Sequence, residues 1–358
     1  MDDHATAGTT AHAMPAPGMP ARVEPLERAE YDAAALMRDH PPRIHDPNKR
    51  LVFEIACPGG AGPRGRIGFS RWPAMPLPPT IEPAAGVAIV EVRDGYFDYR
   101  PVRTGAVEWH LNFADPSLFA FYGTGLLAQD ELQVAEHPVL GALLEALRAE
   151  GRGDRTVELD GTPTPVLVTG AERRVRLETD PDPAAGRPAG LYGHRFRAAS
   201  AEVVRRATIR LDPPSRTNVL AIAAPAYGSG RYRPEEIEQI LVTAFSGFRA
   251  AVFESARVAP SVPGGSPGDA PGRPPVVVHT GYWGCGAFGG NRELMALLQI
   301  AAAGLAGLDG LVFHTGSGGH APVEAAIARL RELAPGSTSD FIAAVAEIGY
   351  AWGVSNGT

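Results

Sequence analysis

The stretch Val276–Gln299, VVVHTGYWGCGAFGGNRELMALLQ, constrains this chain more than any other. It opens on the β-branched run Val276 to Val278 and breaks into a loop carrying Gly281, Gly284, Gly286, Gly289 and Gly290. Leu294, Leu297, Leu298 and Ala301 then recur at helical spacing, so the pattern predicts strand, glycine loop and helix. Such a junction aims backbone N–H groups and a helix N-terminus at one point, and glycines admit a close anion. A βα turn that merely needs small residues is the plain alternative, and five glycines exceed what such a turn requires.

Gly284, Gly286 and Gly289 fit the dinucleotide spacing G-x-G-x-x-G, with Asp309 downstream. The remainder of the chain argues against that fold. The acid of the fingerprint should end the next strand, whereas Asp309 precedes the strand-like Leu311 to Thr315, and too little chain follows for the other strands. A phosphate site is retained and a nicotinamide site is not.

At 358 residues the chain is long enough for one large domain or two small ones with a sizeable core. Its 44% hydrophobic and 20% charged residues read as globular. A net charge of -7 argues against direct nucleic-acid binding. No apolar run is long enough to span a bilayer, and the first residues lack the basic and apolar regions of a signal peptide. The two cysteines, Cys57 and Cys285, give no disulfide framework, which points to a reducing cytoplasm. No metal-ligand spacing is present, and no cofactor is expected.

Along the chain, residues 1–22 read as a disordered tail. Residues 23–100 read as an accessory region packed on a core that runs over 101–358. Within the accessory region, LERAEYDAAALMRDH reads as a helix stopped by Pro41 and Pro42. Pro58 to Pro83 reads as irregular structure, and VAIVEVRDGYFDYRPV as a hairpin turning near Asp94-Gly95. Glu108 to Phe113 is then predicted as a strand, Asp115 to Gly125 as a loop, and Leu126 to His137 as a helix ending before Pro138. Val157 to Arg176 reads as short strands, Asn218 onward as an apolar central strand, and Pro234 onward as an amphipathic helix. Val258 to Pro275 is a low-complexity connector. Leu311 to Thr315 is a further strand, and two amphipathic helices close the chain. The fold class that follows is α/β, a mixed central sheet flanked by helices.

The segment TGYWGCGAFGGN with its following helix resembles the diphosphate-binding loop of the poly(ADP-ribose) glycohydrolases, including Trp283 and Cys285. That resemblance implies a macrodomain-like core holding ADP-ribose, with Gly284, Cys285, Gly286, Ala287, Phe288 and Gly289 on the ligand. A second segment is similar to the same family. Asn112-Phe113-Ala114, Gly123-Thr124-Gly125 and Gln129-Asp130-Glu131 stand where the family has an Asn-Phe-Ala-like strand end, a triple glycine and a Gln-Glu-Glu signature. Carried over, Glu131 is the catalytic acid, Asp130 its neighbouring carboxylate and Gln129 a ligand contact. Asn112 faces the ribose whose C1″ bond is cut, and Gly123, Thr124 and Gly125 line the substrate. Tyr192, in GLYGHRFR, stands where the family has a tyrosine hairpin over the adenine.

The chemistry fits. Cleavage at ribose C1″ needs a carboxylic acid to protonate the leaving oxygen and a carboxylate to activate water. One glutamate performs both if its pKa is raised by burial and a like charge, against the opposing pull of a helix N-terminus. Acidic residues are also favoured in the first turn of any helix, which is the plain reading of Asp130 and Glu131. The chain departs from the family at Thr124, at the short gap before Gln129, at Asp130, and at Gly316, where members carry a phenylalanine. His314 is near enough to replace that contact or to assist a proton transfer, the plain reading being a structural histidine. The implied function is release of ADP-ribose from an ADP-ribosylated protein or from poly(ADP-ribose). A non-catalytic ADP-ribose reader and a hydrolase of another nucleotide diphosphate sugar are the alternatives.

Overall fold

The computed structural model describes residues 23–83, 89–258 and 273–357. The tail expected over 1–22 and most of the connector over 258–275 lie outside these residues. The strands in chain order are β1 (Glu27–Asp32), β2 (Arg66–Arg71), β3 (Thr80–Ile81), β4 (Val90–Arg93) and β5 (Val107–Phe113). There follow β6 (Val166–Leu177), β7 (Thr208–Ile222), β8 (Val276–Gly281), β9 (Gly310–His314) and β10 (Gly336–Ser337). Eight of them form one sheet in the order β1-β2-β6-β7-β5-β8-β9-β4. The half from β7 to β4 is parallel, and the half from β7 to β1 is antiparallel. The carboxyl ends of β5, β7, β8 and β9 therefore open on one edge, where an α/β sheet places its ligand.

Helices cover both faces. The helices α1 (Ala33–Asp39), α2 (Pro47–Ala56), α3 (Gln129–Glu136), α4 (Pro138–Ala149) and α6 (Ala201–Ala207) supply one apolar layer, with the short α5 (Arg195–Ala198) beside them. The other layer comes from α7 (Pro234–Val258), α8 (Arg292–Ala306), α9 (Ala321–Glu332) and α10 (Thr338–Ile348). Parallel strands buried on both faces need apolar residues on both, and Val276, Val277 and Val278 are all buried. The helix ends follow local chemistry. Asp46 caps α2 by accepting from Lys49 N at 3.0 Å, and Pro47 opens it. Asn291 caps α8 through Leu294 N at 3.1 Å, and Gly307 ends it in the left-handed region.

Three local expectations are corrected. The stretch read as one helix up to His40 is strand β1 followed by α1. Its first half pairs antiparallel with β2, so sheet partnership overrides helical propensity. The Pro- and Gly-rich segment after Pro58 contains β2, a member of the main sheet. The hairpin expected around Asp94-Gly95 does not form among the described residues. Strand β4 pairs in parallel with β9, and the chain beyond Gly95 folds over the sheet end, where Asp98 holds Arg93 and Arg100. Residues 23–100 thus contribute β1, β2 and β4 to the same sheet as the rest of the chain.

Candidate active site

The cavity at the carboxyl edge has a volume of about 500 Å³. Its walls come from the end of β5, the start of α3, the loop after β8, and the turn after β9. Asp130 and Glu131 line it from the first turn of α3, and both are buried. Gln129 fixes that turn to the sheet. Its Oε1 accepts from Phe113 N at 2.7 Å, and its Nε2 donates to Leu111 O at 3.0 Å. Gln129 reaches the cavity wall while its amide is hydrogen-bonded to the backbone of β5.

Asn112 is fully buried and lies outside the cavity lining. Its Nδ2 donates to Asp130 Oδ1 and to Gln133 Oε1, each at 3.0 Å. The structure therefore gives it a hold on Asp130 where contact with a ribose was expected. Glu131 Oε2 accepts from Ala128 N at 3.0 Å, closing the helix start. Burial raises the Glu131 carboxyl, and the nearby Lys49 ammonium partly opposes this. Burial and then the Glu131 charge push Asp130 well above the usual carboxylate range, with the Asn112 bond pulling the other way.

Lys49 was missed by sequence reasoning. It is fully buried on α2, donates through Nζ to Tyr122 O at 3.0 Å, and sits 5.9 Å from the centre of the Phe196 ring. Burial lowers its pKa to about 8 against the attraction of Glu131, Asp130 and Asp46. A lysine one turn into a helix carries no distinguishing local signal.

Gly123, Thr124 and Gly125 lie outside the cavity lining. Gly123 O accepts from His45 N and Asp46 N, and a Cβ on Gly123 would sit 2.2 Å from Arg43 O. A Cβ on Gly125 would sit 2.8 Å from Arg197 Cβ. These glycines serve packing of the loop on the segment before α2, and Thr124 is accommodated by donating to Phe121 O at 2.8 Å. The ligand-lining role expected of them is not what the structure shows.

The loop after β8 forms the opposite wall, with Gly284, Cys285, Gly286, Ala287 and Phe288 lining the cavity and Gly289 just behind. Gly284 has φ 75°, and a Cβ there would lie 2.6 Å from Ala224 Cβ. Gly290 N donates to Gly284 O at 2.9 Å, closing the loop. Trp283 is buried and donates to Ile222 O at 3.0 Å, pinning the loop to the end of β7. Among the described residues, the N–H groups of Gly286, Ala287 and Phe288 donate to no protein acceptor. Arg292, at the start of α8, lines the same wall with its guanidinium 5.3 Å from the Tyr282 ring centre. Unused N–H groups, a helix start and an arginine together favour an anion. Burial raises the Cys285 thiol against the pull of Arg292 and so disfavours its thiolate.

Tyr192 lines the cavity, but the hairpin expected around it is a loop leading into α5. Its ring stacks on Tyr96 at 5.1 Å, and its hydroxyl lies near the Gln129 backbone, at the acid end. Gly316, where the resemblance calls for a phenylalanine, leaves room for the Tyr96 ring, since a Cβ would sit 3.3 Å from Tyr96 Cε1. Tyr227, exposed and at φ 61°, meets Phe288 edge to face at 5.8 Å on the cavity rim. His314 also lines the cavity. Among the described residues, no group of three or more His, Cys, Asp or Glu side chains is placed to hold a metal ion. No described helix is long and apolar enough to cross a membrane.

Residues 190–320 match the family model described as poly(ADP-ribose) glycohydrolase (PARG), macro domain fold. The match takes in the loop after β8 and strands β7 to β9, and it ends short of the Asp130-Glu131 segment. No curated protein matches the chain in sequence. Among solved structures it is similar to the poly(ADP-ribose) glycohydrolase of Thermomonospora curvata, at 17% identity and a TM-score of 0.43, covering 83% of this chain and 98% of that one. The Deinococcus radiodurans enzyme in complex with ADP-ribose is similar at 14% identity and a TM-score of 0.37, covering 85% and 94%. The chain resembles this family over residues 190–320, a segment that includes three parallel strands of the mixed sheet.

Proposed function

We propose that the chain is an ADP-ribosyl glycohydrolase that cleaves the ribose C1″ bond and releases ADP-ribose from an ADP-ribosylated protein or from poly(ADP-ribose). The observation that carries this reading is the pairing of two features across one cavity. A buried acid pair stands on one wall, and a glycine loop with unused N–H groups stands on the other. The loop and Arg292 hold the diphosphate, and the rim made by the exposed Tyr227 and the partly buried Phe288 offers a surface for a flat base. Tyr192 and Tyr96 then border the ribose end beside Glu131.

In this reading Glu131 enters the cycle protonated, because burial raises its pKa. It gives its proton to the leaving oxygen as the C1″ bond breaks, and the resulting carboxylate takes a proton from the attacking water. Asp130, held by Asn112 beside it, is pushed up by burial and by the Glu131 charge, so ionising both carboxyls at once is disfavoured. Gln129 holds the turn that presents both acids. Cytoplasmic location is part of the same proposal.

One observation favours a second reading, a reader that binds ADP-ribose without cleaving it. Glu131 Oε2 is engaged with Ala128 N, as in a structural helix cap. The two readings separate in one assay on the wild type. Proteins mono-modified on arginine, serine or glutamate and one poly(ADP-ribosyl)ated protein are incubated with the chain, and free ADP-ribose is measured. Release from any of them establishes the enzyme and names its linkage. ADP-ribose affinity without release from all of them selects the reader.

A further inference from the structure

Behind the cavity, three adjacent parallel strands bring together side chains far apart in sequence. Glu108 comes from β5, His279 from β8 and His314 from β9. Glu108 Oε2 is 2.9 Å from His279 Nε2, and His279 Nδ1 is 3.1 Å from His314 Nε2. His314 Nδ1 is in turn 3.2 Å from Tyr96 O. Glu108 Oε1 accepts from Val102 N at 2.7 Å and from Arg103 N at 3.3 Å. His279 is completely buried, His314 is buried and Glu108 is partly buried.

The count of protons in this array is fixed by its ends. One end is a carboxylate and the other a peptide carbonyl, both acceptors, and three hydrogen bonds lie between them. Three bonds need three protons. Two neutral imidazoles bring only two, since each carries one N–H. With two protons, one contact must set lone pair against lone pair.

We infer that Glu108, His279 and His314 hold one proton beyond those of two neutral imidazoles, and that this proton fastens Tyr96 as a wall of the cavity. All three are positioning residues. Tyr96 lines the cavity and stacks on Tyr192, whose hydroxyl lies near the Gln129 backbone beside the acid pair. The array therefore runs from the sheet interior to the ligand side. The inference deepens the reading of this cavity as the ADP-ribose site and is independent of whether a bond is cut there.

The surroundings decide where the proton rests. Burial raises Glu108, but the bonds from His279 and from the Val102 and Arg103 N–H groups outweigh it and hold the carboxyl below its usual value. Burial, then the charge of His279, lowers His314 to about 4. Of the two rings in the array, only His279 is bonded to a carboxylate, so the third proton is placed there, between Glu108 and His314. His110, on β5, stacks on His279 at 4.3 Å with planes 7° apart, and burial with the neighbouring positive groups keeps it neutral. Tyr99 stacks on the far side of His110, under the Arg173 guanidinium at 4.0 Å, with His137 at 5.5 Å. Asp98 and Arg93, paired at 3.0 Å, face His314 from the segment after β4.

As pH rises and the proton leaves, one of the three bonds must break, and the Tyr96 carbonyl is the acceptor nearest the cavity. Glu108→Gln separates charge from geometry. A glutamine donates through Nε2 to His279 while its oxygen keeps the Val102 and Arg103 bonds, so three bonds form with both imidazoles neutral. The test is nitrogen-15 NMR of the histidines in the full chain at pH 7, with ADP-ribose affinity measured from pH 6 to 9. The expected wild-type result is a doubly protonated His279 and a His314 protonated at Nδ1, with both neutral in Glu108→Gln. Affinity in the wild type is expected to fall about fivefold toward the alkaline end, the worth of one hydrogen bond, and to stay flat in the variant. A wild type with both imidazoles neutral at pH 7, or an equal alkaline fall in both proteins, would overturn the inference. Absence of any ADP-ribose binding would sink the functional reading while leaving the NMR result to judge the array.

Discussion

Replacing Lys49 with methionine isolates the electrostatics of the acid pair. Methionine keeps the length and apolar stem of the side chain and removes the ammonium. Burial takes the Lys49 pKa from 10.5 down to about 8, even with Glu131, Asp130 and Asp46 attracting it. That difference corresponds to about 3 kcal/mol. The sign follows from linkage: between pH 8 and 10.5 the unfolded chain holds the lysine proton and the folded chain releases it. The wild type therefore gains stability as pH rises through this window, up to about 3 kcal/mol from this group alone. Lys49→Met lacks that gain, and changes at titrating groups away from Lys49 cancel in the difference between the proteins. Urea unfolding followed by tryptophan fluorescence at pH 7, 9 and 10 measures it. The wild type is expected to gain on the variant by roughly 1 kcal/mol per pH unit above 8. A difference independent of pH would refute the buried ammonium.

The same variant should also carry a functional signature, because removing the counter-charge raises the acid pair further. The alkaline limb of any hydrolysis profile is expected to shift to higher pH, read from kcat/KM against pH. Gly284→Ala forces a Cβ to 2.6 Å from Ala224 Cβ at φ 75°, and should cost about 2–5 kcal/mol, from left-handed strain of about 1–2 and overpacking of about 1–3. Urea midpoints check the loss, and a variant of unchanged stability would contradict the loop geometry. Gln129→Ala leaves Leu111 O and Phe113 N without their partner, and should destabilise by about 1–3 kcal/mol. In that variant kcat should fall more than affinity for ADP-ribose, since the amide positions the acids and does not hold the ligand.

Much of the sheet was legible because its strands declare themselves locally. The run Val276 to Val278 and the leucines after Asn291 show their periods within a dozen residues, and β8 and α8 formed as expected. The acids at the start of α3 and the glycines beyond Gly281 were legible by motif, and the fold brings them to one cavity. Other features depend on neighbours that no local window contains. Residues Glu27 to Asp32 carry helix-compatible side chains, yet pairing with β2 makes them strand. The Gly-Thr-Gly loop follows the motif, but the segment before α2 occupies the face where a ligand was expected. Glu108, His279 and His314 meet only because β5, β8 and β9 are neighbours in the sheet, and sheet order is invisible in a list of strands. Lys49 stands on a helix outside both motifs, and its burial comes from packing against Phe196 and Tyr122.

The central claim is that Glu131 acts as the acid and base of a glycosidic cleavage in this cavity. Glu131→Gln tests it most directly, because an amide preserves the bond from Ala128 N and removes the transferable proton. The measurement is release of ADP-ribose from the preferred substrate, with ADP-ribose affinity read on the same protein by calorimetry. The account expects release to fall by at least about a hundredfold, on the scale of general acid–base catalysis, with affinity within a few-fold of wild type. Release that persists at the wild-type rate in Glu131→Gln would contradict it.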